Sequence, residues 1–294
     1  MTGLDIATHN LTVRYRDTVA VDALDLTLAP GKIYGLLGRN GSGKTSLLAV
    51  LSAFRPATSG SVLVGGMDPF ENASIMSQIG FVRDRVDAQD SDRVGGILAV
   101  AASLRPNWDA DYAARLVERF NLPPRKRLSG LSRGMKSALS VTLGLAARTP
   151  LTIFDEAYLG LDAPSRYAFY DEVLNDYLAH PRTIILSTHL IEEVGALFEE
   201  VVILHEGRLV VHEETEQLRQ HGTTVTGPAV AVDAFVTGRT VLGSQRLGGT
   251  RSTTIYGPLD DADRAAARAA GLELGPIGLQ DLFVHLTGDQ ESRR

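Results

Sequence analysis

The chain has 294 residues, 44% of them hydrophobic and 22% charged, with no cysteine and a net charge of −6. This composition excludes a disordered chain, a disulfide framework and any thiolate metal site, and the length allows one large domain or a main domain with a smaller appendage. The acidic balance argues against nucleic acid as a main partner, since phosphate backbones are bound by basic surfaces.

From the N-terminus, Met1-Thr2-Gly3-Leu4-Asp5 has no basic segment followed by an apolar stretch, so no secretory signal is expected. Ile6 to Tyr15 and Leu24 to Leu28 alternate apolar and polar residues, the pattern of strands in an antiparallel edge sheet, with Ala29-Pro30-Gly31 as the turn that follows. Ile33 to Leu37 is continuously apolar, as in a strand buried on both faces, and the glycine-rich segment and helix after it start a parallel α/β core. Leu151 to Phe154, Thr183 to Leu186 and Val201 to Leu204 read as further strands of that core, and Ile79-Gly80-Phe81-Val82 reads as a strand. None of these runs reaches the ~20 residues needed to cross a bilayer.

Between about Arg85 and Arg127 apolar residues recur at helical spacing in Val94 to Leu104 and Tyr112 to Phe120, which predicts a helical subdomain over about 85–135. After about Gly222 the composition turns to Thr, Gly and Val, and short alternating stretches precede an alanine-rich helix at Asp260 to Ala270. The expected organisation is a main α/β domain over 1–221 and a small α+β accessory domain over 222–294.

Gly38-Arg39-Asn40-Gly41-Ser42-Gly43-Lys44-Thr45 lies between a buried strand and a helix, the setting that a phosphate loop requires. Its glycines let backbone N–H groups turn onto phosphates, and the helix N-terminus adds its positive end. Lys44 is expected to reach the β- and γ-phosphates of ATP, the Thr45 hydroxyl to enter the shell of Mg²⁺, and Ser46 to lie beside them. Leu151 to Phe154 runs into Asp155 and Glu156, and ligands of open parallel sheets bind beyond the carboxyl ends of the strands. Asp155 is therefore the expected metal carboxylate, and Glu156 the residue that accepts a proton from, or orients, the attacking water. Leu131-Ser132-Arg133-Gly134-Met135-Lys136 opens a long helical stretch to Ala147, a second anion-binding helix start or simply a serine N-cap.

Together these motifs resemble the nucleotide-binding subunits of ATP-binding-cassette (ABC) transporters over about residues 4 to 215. The resemblance implies a head-to-tail dimer in which Ser132 and Gly134 touch the γ-phosphate held by the opposite subunit. It implies that Tyr15 stacks on adenine, that Asp162 in Leu159-Gly160-Leu161-Asp162 helps join the half-sites, and that His189 hydrogen-bonds the γ-phosphate. It also marks departures. Arg83-Asp84 stands where glutamine is usual, making Asp84 the Mg²⁺-facing candidate, although an ionised aspartate cannot donate a hydrogen bond. Arg133 replaces the commonest glycine, either to stabilise phosphate charge or to face solvent. Ala157-Tyr158 replaces proline-threonine and is expected to alter the local turn more than the chemistry.

The C-terminal Leu279-Gln280-Asp281-Leu282-Phe283-Val284-His285-Leu286-Thr287 adds similarity to a bacterial branch of stand-alone ATPases that serve separate membrane proteins, often in export of drugs, peptide antibiotics or lipids. The resemblance thus implies a Mg²⁺-dependent ATPase at the inner face of the cell membrane, partnered by a separately encoded transmembrane subunit and a second ATPase chain, identical or paralogous. Other readings are a soluble cassette ATPase acting in translation or repair, and a non-hydrolysing nucleotide-binding module. Arg125, Lys126, Arg127, Arg133 and Lys136 form a basic cluster, most simply a solvated face.

Overall fold

The computed structural model describes residues 3–288; residues 1–2 of the N-terminal segment and 289–294 of the accessory region lie outside the described residues. Two compact units emerge, one formed by the chain up to His189 with Leu204–Leu209, the other by Leu190–Ile203 with the chain from Val210 onward.

The first unit opens with β1 (Ile6–Tyr15) and β2 (Thr18–Leu28), followed by β3 (Ile33–Leu37), α1 (Lys44–Leu51), β4 (Ser59–Val64), the short α2 (Ala73–Met76) and β5 (Ile79–Arg83). β1 pairs antiparallel with both β2 and β4 in a three-stranded sheet of order β2-β1-β4. The alternation along β1 is the cause: Ile6, Leu11 and Val13 are buried while His9, Asn10 and Arg14 face solvent. Helices α3 (Val94–Leu104) and α4 (Ala110–Arg119) fill the stretch read as helical, and Asp109 caps α4 by accepting from the Tyr112 N–H at 2.7 Å.

Next come α5 (Arg133–Ala146), β6 (Leu151–Asp155), α6 (Ala163–Ala179) and β7 (Thr183–Thr188). β5, β6, β7 and β3 run side by side and parallel, and every residue of β3, β6 and β7 is buried. Covering both faces of such a sheet removes each Leu, Ile or Phe from water, about 1.5–3 kcal/mol apiece. α5 presses hard on the sheet, since a Cβ at Gly144 would come within 2.3 Å of Val82. Beneath it lies a buried charge network: Arg182, fully buried, meets Asp176 at 2.7 Å, and Arg148 reaches Asp176 at 3.0 Å and Asp109 at 2.7 Å.

The register fixes where the chemistry lies. Arg83 is level with Asp155, Asp155 with Ser187, and Leu37 with Thr188. Gly38, Asp84, Glu156 and His189 therefore all leave the sheet from the same carboxyl edge.

The second unit contains α7 (Ile191–Val194), and β8 (Glu200–His205) and β9 (Arg208–Glu214) each have residues in both units. It continues with α8 (Thr215–Arg219), β10 (Gly222–Pro228), α9 (Ala229–Val236), β11 (Thr240–Leu247), β12 (Thr250–Tyr256), α10 (Asp261–Ala269), β13 (Glu273–Pro276) and α11 (Leu279–Thr287). Its four-stranded antiparallel sheet has the order β11-β12-β10-β13. Val225, Val232, Ile255, Leu259, Ala267 and Leu272 form its core. α10 starts in a reciprocal capping box between Asp260 and Asp263, which satisfies two backbone donors at once.

Candidate functional site

The glycine-rich loop has a conformation that its glycines make possible. Gly41 and Gly43 take φ of +82° and +100°, and a Cβ at Gly43 would lie 2.2 Å from the Ala20 carbonyl oxygen of β2. The loop is thereby seated on the antiparallel sheet, and it is also tied to the β8–β9 turn, where Gly207 N donates to Ser42 O at 3.0 Å. Lys44, at the start of α1, folds its ammonium onto the loop, donating to Gly38 O at 2.6 Å and Arg39 O at 3.2 Å. Arg39, Asn40 and Thr45 are exposed around it, while Ser42 is buried with its Oγ lacking a hydrogen-bond partner.

Burial lowers the Lys44 pKa, and the nearby Glu156 and Asp155 carboxylates oppose that shift. Burial likewise pushes Asp155 up, against the pull of the Ser187 and Thr45 hydroxyls and of Lys44, while Glu156 adds to the rise. Asp155 Oδ1 and Ser187 Oγ nevertheless close no hydrogen bond of ordinary geometry, so a buried carboxylate oxygen is left open toward the loop's lysine and threonine.

Glu156 has the left-handed φ of +51°, a strained turn for a residue with a side chain, and its N–H donates to Ser187 O at 3.3 Å. This turn leaves the carboxylate about one third exposed, with Oε1 3.1 Å from His189 Nδ1. The structure thus brings together Lys44, Thr45, Asp155, Glu156 and His189. Sequence reasoning assigned no role to Ser187, although it lies two residues before His189; only the strand register shows it beside Asp155.

Ser132 and Asp162 start helices. Ser132 Oγ accepts from Met135 N at 3.2 Å, and Asp162 accepts from Ser165 N at 3.0 Å, a contact that lowers the aspartate's pKa. The two segments touch, since a Cβ at Gly160 would lie 2.3 Å from Ser137 Oγ and one at Gly134 would lie 3.1 Å from Gly160 O. Among the described residues, Ser132 makes no hydrogen bond to the glycine-rich loop of its own chain. Arg133 and Asp84 are exposed, and Ser46 is half-buried. Asp84's neighbour Arg83 pairs with Asp87 and lies over the Phe54 ring. Tyr15, partly exposed, ends β1 opposite Thr18. Tyr158 is a core residue: it is fully buried, stacks on Phe169 at 5.3 Å, and its hydroxyl donates to Ser187 O at 3.4 Å.

A glycine cradle, a buried ammonium, a hydroxyl and an open carboxylate form a set able to hold a polyphosphate with a divalent cation, and a partly exposed carboxylate beside an imidazole can handle a proton. The family model described as ABC transporter matches residues 21–159, from β2 through Glu156. The chain is 30% identical to the bacitracin transport ATP-binding protein BcrA of Enterococcus faecalis over 75% of its length and 73% of that protein. It is 29% identical to the daunorubicin resistance ATP-binding protein DrrA3 of Streptomyces coeruleorubidus over 94% of its length and 93% of that protein.

Among solved structures, an ATP-binding subunit of an ABC transporter superposes with a TM-score of 0.66 at 22% identity, covering 73% of this chain and 91% of that one. A dimeric bacterial ABC transporter cassette gives a TM-score of 0.64 at 17% identity, covering 71% of this chain and 98% of that one. The fold is that of the phosphate-loop ABC cassettes, as the strand and loop pattern predicts. With Lys44, Asp155 and Glu156 gathered at one sheet edge and a relative such as BcrA matched over most of both chains, the chain belongs to the ABC transporter ATP-binding family.

Proposed function

We propose that this chain binds and hydrolyses Mg²⁺-ATP and thereby powers a separate membrane-embedded transporter, working as an exporter. The observation that carries the reading is the juxtaposition of Lys44, Asp155, Glu156 and His189 at the carboxyl edge of the parallel strands. Residues 1–221 serve as the nucleotide-binding domain, with about 85–135 as its helical part, and 222–294 as an accessory domain. The relatives named for bacitracin transport and daunorubicin resistance support export.

Residues 38–46 cradle the phosphates, with Lys44 exchanging its loop carbonyls for phosphate oxygens. Thr45 and Asp155 would hold Mg²⁺, with Asp84 a further carboxylate toward it; the unpartnered, buried Asp155 Oδ1 fits that use. When bound, the ion would neutralise phosphate charge. Glu156 orients the attacking water and takes its proton, while His189 keeps the carboxylate in place and offers its other ring nitrogen to the γ-phosphate. A ring that donates to both must carry both protons.

Ser132 and Gly134 act on the nucleotide of a second copy or a paralogue, and Asp162, joined to them through the Gly160 contact, carries the state of one half-site to the other. ATP shifts the open–closed balance because only the closed dimer makes the second set of phosphate contacts. The membrane subunit docks at the groove of about 260 Å³ beside the Asp84 loop, lined by Phe81, Arg83, Val100 and Leu104. Among the described residues no helix is long and apolar enough to cross a membrane. In this reading the partner holds the chain at the inner membrane face.

The test is phosphate release by the purified chain with ATP. Release that needs Mg²⁺ and disappears in Glu156→Gln supports the reading; Mg²⁺-independent release, or none under any condition, removes it.

A further inference from the structure

Arg55 lies over the ring of Tyr15, its guanidinium carbon 3.8 Å from the ring centroid. Nothing local dictates this, because the two residues are 40 positions apart. Arg55 follows α1, the helix that begins at the phosphate loop, and the chain from there returns to β1. Three hydrogen bonds secure the return: Arg55 Nη2 donates to Arg14 O at 2.6 Å, Arg14 N donates to Thr58 Oγ1 at 2.9 Å, and Thr58 N donates to Thr12 O at 2.8 Å. Arg55 Nε is buried without an acceptor, so that edge of the guanidinium is held by packing on the ring.

The same hairpin touches the phosphate loop. Tyr15 pairs with Thr18, and two residues further along β2 the Ala20 carbonyl packs on Gly43. Two residues of strand span about 7 Å, so the tyrosine ring stands within a nucleotide's length of the loop. One ring face is covered by Arg55, yet Tyr15 keeps 43% of its surface exposed.

We infer that Arg55 is the positioning residue of the base platform: it clamps Tyr15 from behind so that the opposite ring face is presented, fixed in angle, to the adenine of ATP. The inference rests on the proposed nucleotide site and deepens it. A planar cation on one face both locks the ring and draws π density from it, which strengthens stacking of the electron-rich purine on the other. The phosphates are untouched by this device, so its loss weakens the nucleotide without weakening a bare polyphosphate.

The experiment is calorimetric titration of the full chain with Mg²⁺-ATP and, separately, with inorganic tripolyphosphate. Arg55→Met keeps most of the stem and removes the planar charge. It should raise the Kd for ATP about 3- to 10-fold, the cost of ordering one freed side chain on binding, and leave the Kd for tripolyphosphate unchanged. Tyr15→Leu should weaken ATP at least as much, and the double variant should be no weaker than Tyr15→Leu alone. The inference is overturned if Arg55→Met leaves ATP affinity unchanged while Tyr15→Leu lowers it, if the two losses multiply, or if tripolyphosphate weakens in parallel. Unchanged ATP affinity in Tyr15→Leu would instead remove the base platform itself, a separate failure that leaves the phosphate site standing.

Discussion

Glu156 Oε1 and His189 Nδ1 meet at 3.1 Å across 33 residues of sequence. The contact arises because β6 and β7 are neighbours in register, so that each chain leaves the sheet at the same level. An ionised carboxylate only accepts, so the pair fixes the imidazole with Nδ1 protonated toward Glu156 and Nε2 turned away.

Glu156→Gln keeps the shape of this contact and removes the carboxylate proposed as the base. Turnover should fall about 10²–10⁴-fold, the usual contribution of a general base, while ATP binding persists and ATP-bound dimers accumulate. Phosphate release together with size-exclusion chromatography in ATP measures both. Turnover at the wild-type rate would show that Glu156 does not handle the proton.

On the proposed reading His189 donates to developing phosphate charge, so His189→Ala should lower kcat about 10²-fold with little change in ATP affinity. Steady-state kinetics separates the two quantities. A large loss of affinity at unchanged kcat would assign His189 to ground-state binding.

Lys44→Ala leaves the loop backbone intact but removes its ammonium, so tight ATP binding should be lost. Equilibrium binding of a fluorescent ATP analogue reads this directly. Unchanged affinity would place the nucleotide elsewhere.

Asp155 gives a pH signature in the nucleotide-free protein. Its pKa is raised by burial, so the folded state holds a proton that the unfolded state has released, and stability falls as pH climbs from the ordinary aspartate value through the raised one. Asp155→Asn removes that slope. Thermal melts should show the variant more stable than wild type above the raised pKa, with the difference vanishing below the ordinary aspartate range. A wild-type advantage at neutral pH would mean that the buried carboxylate is not a source of strain.

Arg182→Ala should cost about 3–5 kcal/mol, because Asp176 would be left as a buried charge with one partner fewer. Urea denaturation measures it. A loss below 1 kcal/mol, a surface-pair value, would show that the site is solvated.

Much of the fold was legible because its signals are local. Continuous apolar runs marked β3, β6 and β7, since strands covered on both faces need no polar alternation. The phosphate loop was legible for the same reason, its glycines and lysine being contiguous. What escaped depends on distant neighbours. Tyr158 replaces a usual turn residue, yet only the packing of α6 shows that its ring fills the space against Phe169. Arg182 reads as a surface charge until Asp176 is placed beside it. Arg55 carries no pattern at all, and its role depends on a chain return over 40 residues. In the second unit β10 pairs with β12 and β13, strands well separated from it in sequence, and short alternating stretches do not encode that choice.

The central claim is that one triphosphate is gripped by the Lys44 loop of one chain and the Ser132 helix of another. Mixing Lys44→Ala with Ser132→Ala, each inactive alone, tests it: a heterodimer then holds one site with both residues intact. The account predicts that phosphate release reappears on mixing; release no higher than that of the separate variants would contradict it.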